Sequence, residues 1–213
     1  MSTVGKRLVV VGGKRVELED FELPDPGPGQ VLVRVTRSLV SAGSEKGALL
    51  RDAPPDDRRN LGYTTVGRVQ KFGEGMESFK PGDRVFTFGN HGTHCLSQPD
   101  EDPDDPVNIQ RVEHDITDEQ VALTRLGDVA LHCVRRGELQ IDEQVAVFGQ
   151  GVVGQLVTAF ARLSGAYPVI AVDLDDQRLE LARESGATHT VNASKENAVE
   201  AIRDLTGGGV QCV

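Results

Sequence analysis

Three glycines and one acid are the residues of this chain whose spacing points most directly to a chemistry. Gly149-Gln-Gly151-Val-Val-Gly154 follows the β-branched run Val145-Ala-Val-Phe, and apolar residues at helical spacing leave it from about Val152. A second β-run, Val169-Ile-Ala-Val, then ends in Asp173. A bend of residues without side chains lets peptide N–H groups approach a diphosphate, with the positive end of a helix dipole behind them. In this reading Gly149 makes the tight turn, Gly151 lets the backbone approach the phosphates, and Gly154 lets the helix pack closely. The N–H groups of Val152 and Val153 then face the anion. Asp173 accepts hydrogen bonds from both hydroxyls of the adenosine ribose and repels a 2′-phosphate. Leu174-Asp175-Asp176 add no cation to neutralise such a phosphate; the first is Arg178, placed to pair with Glu184 or solvent. The spacing therefore predicts NAD(H) in preference to NADP(H).

The elements that must hold these residues are legible around them. Asp175 is the expected N-cap of a helix over Asp176–Ser185, which Gly186 closes. Glu196–Leu205 reads as the next helix, and short β-runs fall at 188–191 and 210–213. Upstream, Thr117-Asp-Glu-Gln120 has the form of a capping box. Val121, Leu123, Leu126, Val129, Ala130 and Val134 continue it at helix-compatible spacing, with Gly127 a candidate break. Residues before about 116 read as strands: a hairpin of Leu8–Val11 and Arg15–Leu23 around Gly12-Gly13, then Gln30–Thr36, Thr64–Phe72 and Arg84–Phe88. Residues 52–60, rich in Asp, Pro and Arg, read as a mobile loop. Such strand spacing predicts a small, partly open barrel. The expected division is 1–116 and 117–213.

Composition narrows the function. The 213-residue chain carries a formal charge of −10, which argues against a nucleic-acid partner. No run approaches a membrane span, and the N-terminus lacks a secretory apolar core. Cysteines at 95, 133 and 212 show no paired spacing, so neither a disulfide framework nor a cysteine-rich zinc lobe is expected, and a reducing cytoplasm fits best. The acidic stretch Asp100–Pro106 reads as a solvated loop. The run of strands after residue 145 is too short for six, so the chain reads as the N-terminal part of a longer enzyme, the alternative being a naturally short protein completed by a partner.

Pro26-Gly-Pro-Gly-Gln-Val-Leu-Val-Arg-Val, Gly67-Arg-Val-Gln-Lys-Phe-Gly-Glu-Gly, Phe79-Lys-Pro-Gly-Asp-Arg-Val and the Gly149 fingerprint occur in one order. That order resembles the medium-chain dehydrogenase/reductase superfamily, the zinc-type alcohol dehydrogenase-like proteins. The resemblance implies an α/β plus β fold: a GroES-like, partly open β-barrel catalytic domain followed by a Rossmann doubly wound parallel sheet, here incomplete. It also implies three zinc ligands, and at the matching positions stand Ala42, Tyr63 and Thr124. Alanine has no donor atom, so zinc is not expected. His91-Gly-Thr-His94-Cys95 is the one compact His/Cys cluster and reads as a surface loop or strand pair without metal. His132-Cys133 reads as a packed cysteine beside a solvated or substrate-facing histidine. Ser44 and Tyr63 are then the hydroxyls available to orient or protonate a substrate oxygen, with Thr124 as a third pocket candidate. Glu45 is expected to pair with Arg68 or solvent.

The reading is an NAD(H)-dependent oxidoreductase that moves hydride between nicotinamide and a carbonyl, alcohol or activated alkene without catalytic zinc. A zinc-dependent alcohol or polyol dehydrogenase with displaced ligands is one alternative. A non-catalytic NAD(H)-binding sensor or structural subunit is the other. The expected partner is a small-molecule substrate, with neither nucleic acid nor membrane, and the full-length form is expected as a homodimer or homotetramer.

Overall fold

The computed structural model describes residues 3–12, 14–97 and 108–213. Gly13 and the acidic stretch 100–106 lie outside the described residues. The chain forms two compact units, Met1–Leu123 and Thr124–Val213.

The first unit is built on strands. β1 (Thr3–Val11) and β2 (Arg15–Leu23) form the expected hairpin, in register from Thr3 opposite Leu23 to Val11 opposite Arg15. β1 also pairs with β4 (Arg58–Asn60), so the end of the 52–60 segment is a strand and not a loop. Arg58 bridges Glu17 and Glu19 of β2, which makes a charged sequence acceptable on this sheet. The second sheet runs β7-β3-β5-β6-β8, all antiparallel, with β3 (Val31–Ser38), β5 (Thr65–Phe72), β6 (Arg84–Thr87), β7 (His94–Ser97) and β8 (Ile109–Arg111). Val31 and Val33 of β3, Val69, Val85, Cys95 and Met76 fill its inner face. Burial pushes the Cys95 thiol up to about 11, so it packs as an apolar group. Two register shifts in the β3–β5 ladder bend the sheet, as bulges do.

A helix not expected from the sequence, α1 (Ala42–Leu50), follows β3. α2 (Asp118–Ala122) carries the capping box in full: Thr117 Oγ1 accepts from Gln120 N, and the Gln120 side chain accepts from Thr117 N. Val121 and Ala122 pack on Val66 and Phe86 of the first unit. The helical stretch breaks at Leu123 rather than Gly127, which sits inside α3 (Thr124–Arg136). Leu126, Ala130 and Val134 form the buried stripe of α3. His132 and Cys133 are both exposed, so this cysteine is not packed.

The second unit is a parallel sheet with helices on both faces. Its strands are β9 (Val145–Phe148), β10 (Val169–Asp173) and β11 (His189–Asn192), in the order β11-β10-β9. α4 (Val152–Leu163) packs on Val145, Val147 and Val169, and α5 (Asp176–Glu184) packs on Ala171 of the same face. α6 (Ala198–Thr206) covers Ala146, Ile170 and Val172 on the other. Alternate residues of each strand thus bury in opposite layers, which is why the runs read as continuously apolar. Of the expected strand 210–213, only a parallel bridge between Cys212 and Val145 forms.

Candidate functional site

Gly149 and Gly154 stand where the turn requires glycine. Gly149 has φ +85°, in the left-handed region where glycine is at ease. A side chain on Gly154 would put its Cβ 1.8 Å from the Gly149 carbonyl oxygen, so the helix start fits the turn only as glycine. Gly151 has an ordinary φ of −74° and open space where a Cβ would stand. It is the N-cap of α4 and lends no side chain to the first N–H groups. By contrast Thr117, Asp175 and Asn197 cap their helices with side-chain oxygens. The N–H groups around Val152 and Val153 are therefore left for an acceptor from outside the helix.

Beneath this turn lies Gln150, which the sequence reading passed over. Its side chain is buried, donating from Nε2 to Val147 O at 2.9 Å and accepting from Thr158 Oγ1 at 3.2 Å. Its backbone N–H donates to Asp173 Oδ2 at 2.6 Å, tying the end of β10 to the glycine turn. Asp173 Oδ1 accepts from Leu174 N and Asp175 N at 2.7 and 3.1 Å. Burial raises the Asp173 pKa, but these N–H groups and the Arg178 charge outweigh it, so the carboxyl lies below its usual range. Arg178 Nη1 stands 3.8 Å from Asp173 Oδ2, which corrects its expected pairing with Glu184 or solvent. Oδ1 is thus engaged twice and Oδ2 keeps an acceptor position, enough for one ribose hydroxyl. Asp175 caps α5 as expected, accepting from Gln177 N and Arg178 N.

In the first unit the chain neighbours of two expected pocket residues, Glu45 beside Ser44 and Gly62 beside Tyr63, meet at a histidine. His91 is only 5% exposed, which excludes the surface loop, while His94 and Cys95 lie on a paired strand, the other expected arrangement. Its Nδ1 lies 2.8 Å from Ser38 Oγ and its Nε2 lies 2.9 Å from Glu45 Oε2. Glu45 therefore pairs with His91, not with Arg68 or solvent. Its other oxygen accepts from Ser41 N at 2.7 Å, and Ser41 Oγ stands 3.4 Å from Ser44 Oγ. Ser44 is exposed on the first turn of α1, and Tyr63 is half-buried next to Gly62. Gly62 has φ +85° and its missing Cβ would strike the His91 ring at 2.8 Å. Thr64 Oγ1 is buried without a hydrogen-bond partner among the described residues. Thr124, exposed at the start of α3, belongs to the other unit. The second histidine of the cluster, His94, sits on β7. Burial and then the Arg34 charge lower its pKa, which disfavours its protonated form.

Residues 27–106 match the alcohol dehydrogenase GroES-like domain, and residues 152–213 match the zinc-binding dehydrogenase family. An alcohol dehydrogenase of Cupriavidus necator is 28% identical, over 98% of this chain and 68% of its own length. Human sorbitol dehydrogenase is 29% identical, over 94% and 64%. The crystal structure of 2R,3R-butanediol dehydrogenase from Bacillus subtilis superposes with a TM-score of 0.81 at 26% identity, covering 97% of this chain and 68% of that one. The chain spans about two thirds of the length of these relatives.

The residues here do not fit a catalytic zinc. Ala42 offers no donor, a neutral tyrosine and a threonine are poor ligands, and Glu45 is already bonded to His91 and Ser41. Among the described residues no three His, Cys, Asp or Glu side chains stand close enough to hold a metal ion. A dinucleotide does fit the second unit, where the open backbone at Gly151 and the anchored carboxylate of Asp173 flank one helix start. With both domain families matched in sequence and the same fold in the solved relative, the chain belongs to the medium-chain dehydrogenase/reductase superfamily, among its zinc-type alcohol dehydrogenase-like proteins, and so to the NAD(P)-dependent dehydrogenases and reductases.

Proposed function

We propose that the protein binds NAD(H) through its second unit and moves hydride between the nicotinamide and a carbonyl, alcohol or activated alkene, without a catalytic metal. The observation that carries this reading is the carboxylate of Asp173, locked to the glycine turn by Gln150 N, beside a helix start that has no side-chain cap. Bound there, the cofactor supplies the hydride acceptor or donor. The chain's own part is to hold the diphosphate on the amides of Gly151, Val152 and Val153 and the ribose on Asp173. Ser44 and Tyr63 of the first unit are the hydroxyls that orient a substrate oxygen and exchange its proton. Arg178 stands close enough to Asp173 to bind the same sugar, and its charge is partly offset by that carboxylate. This favours NAD(H), because a 2′-phosphate would meet the carboxylate first. The relatives whose names specify alcohol, sorbitol and butanediol dehydrogenases support an alcohol or polyol as the reduced substrate.

Asp173→Ala tests this reading. Losing a charged acceptor of the ribose costs about 1.5–3 kcal/mol, or roughly tenfold to a hundredfold in NADH affinity. NADPH affinity should fall less or rise. An equal loss for both nucleotides removes the ribose role, and calorimetric titration reads the difference directly. Binding of NADH with no turnover of ethanol, 2,3-butanediol or sorbitol, or of their carbonyl products, favours a nucleotide-binding sensor instead.

A further inference from the structure

Two segments of the first unit carry the hydroxyls read as substrate groups, and one buried ring touches both. Glu45 directly follows Ser44, and Gly62 directly precedes Tyr63. The His91 imidazole is held by Glu45 on one side, lies against Gly62 on another, and reaches Ser38 of β3 with its second nitrogen. The side chains of His91 and Glu45 are 6% and 14% exposed, so the pair is largely withdrawn from solvent, where its attraction is screened less. The backbone of His91 is fixed as well: its N–H donates to Leu61 O at 2.7 Å and its carbonyl accepts from Leu8 N at 2.8 Å. The ring is therefore anchored at both nitrogens and by its own peptide.

We propose that His91 and Glu45 form a positioning clamp for the candidate substrate hydroxyls, tying the start of α1 to the Gly62-Tyr63 turn. A metal bound by side chains at 42 and 63 would join the same two segments. Here an imidazole–carboxylate pair does so without one. The clamp acts in three links. Glu45 Oε1 takes Ser41 N, which sets the first turn of α1 and with it Ser41 Oγ and Ser44 Oγ. Glu45 Oε2 takes His91 Nε2. The ring face then fills the space that Gly62 leaves by lacking a Cβ, which fixes the peptide leading into Tyr63. The clamp touches no reacting atom. It acts by holding Ser44 and Tyr63 within the sub-ångström tolerance that oriented catalysis needs. The catalytic part of this inference rests on Ser44 and Tyr63 being substrate groups; the clamp itself does not.

Glu45→Gln is the test, because it keeps shape and hydrogen-bonding capacity while removing the charge. In 15N-labelled protein the substitution should shift the amides of residues 61–64 as well as those of 41–45, and should remove the downfield ring N–H proton of His91. With NAD and the best of ethanol, 2,3-butanediol and sorbitol, kcat should fall about tenfold to a hundredfold. KM and NADH affinity should stay within about twofold. His91→Gln should reproduce the pattern, and Glu45→Asp should recover part of kcat. Amides 61–64 that do not move in Glu45→Gln overturn the clamp, whatever happens to activity. Moved amides with unchanged kcat overturn the catalytic role of the clamp and the assignment of Ser44 and Tyr63 with it. A wild-type protein that turns over none of the three substrates overturns the oxidoreductase reading instead, and the amide result still decides the clamp.

Discussion

Gly151 and Gly154 stand three residues apart, and the structure gives them opposite consequences when substituted. Gly151 has an ordinary φ and open space at its Cβ position, so Gly151→Val should fold with a Tm within about 2 °C of the parent. The branched side chain would occupy the volume where a diphosphate must sit, and NADH binding should be lost. Gly154→Ala should do the reverse: its Cβ would meet the Gly149 carbonyl oxygen at 1.8 Å, a backbone clash costing upwards of about 3 kcal/mol. Differential scanning with and without NADH separates the two, and a Gly151→Val protein that still binds removes the fingerprint argument. The βαβ arrangement around them was legible in the sequence because it is local: a bend, a helix start and an acid at the end of the next strand are all specified within one unit. The His91–Glu45 pair was not legible, because its partners are 46 positions apart and only the folded barrel brings them together. Gln150 was missed for a different reason. A polar residue inside a glycine motif looks variable until its side chain is seen satisfied at both ends under the turn.

At the scale of the element, α2 is the most exposed to test. Five residues do not make a stable helix unaided, so this one depends on its caps and its docking. Thr117→Ala removes the acceptor of the capping box and should cost about 1 kcal/mol. Docking rests on Asp118, which takes Arg84 Nε at 2.6 Å and Thr36 Oγ1 at 2.5 Å. Burial raises the Asp118 pKa, but the hydroxyl of Thr36 and the charge of Arg84 outweigh it, and the carboxyl lies below its usual range. Its stabilisation is therefore complete above the unfolded value of about 3.9 and is lost as the pH falls through the lower, folded one. Asp118→Asn should cost about 1–3 kcal/mol at pH 7 and flatten the loss of stability below about pH 4, as read by urea unfolding across that range. An unchanged acid slope would place the pH sensitivity elsewhere. Elements with a strong apolar pattern, such as α3, α4 and β10, were readable from the order of residues alone. β4 was not, since Arg58-Arg-Asn is strand only because β1 offers an open edge and β2 offers glutamates. α1 was missed because none of its residues is buried, so its sequence lacks a stripe to reveal it.

At the scale of the whole molecule, the second unit's sheet says where a ligand belongs. From β9 the chain moves outward to β10 and then β11, with α4 and α5 on one face. α6 then carries it to the opposite face, and Cys212 bridges Val145 on the free side of β9. The winding reverses beside β9, and open parallel sheets bind ligands at such a switch, beyond the carboxyl ends of the strands. Three apolar side chains are left exposed there: Phe148 at 52%, Val152 at 47% and Leu174 at 68%. They end β9, open α4 and follow β10, so they stand at the same carboxyl end of the sheet as the glycine turn and Asp173. The composition supplies a way to test this, because the chain contains no tryptophan. Phe148→Trp would introduce a single indole at the mouth of the proposed site, with an emission that overlaps NADH absorption. Adding NADH should quench that emission and sensitise the nucleotide's own, saturating with the dissociation constant found by calorimetry. The same titration on Phe148→Trp combined with Gly151→Val should show no saturable transfer. If the double variant still transfers energy saturably, NADH reaches the indole without the glycine turn, and the crevice at this switch is not what holds it.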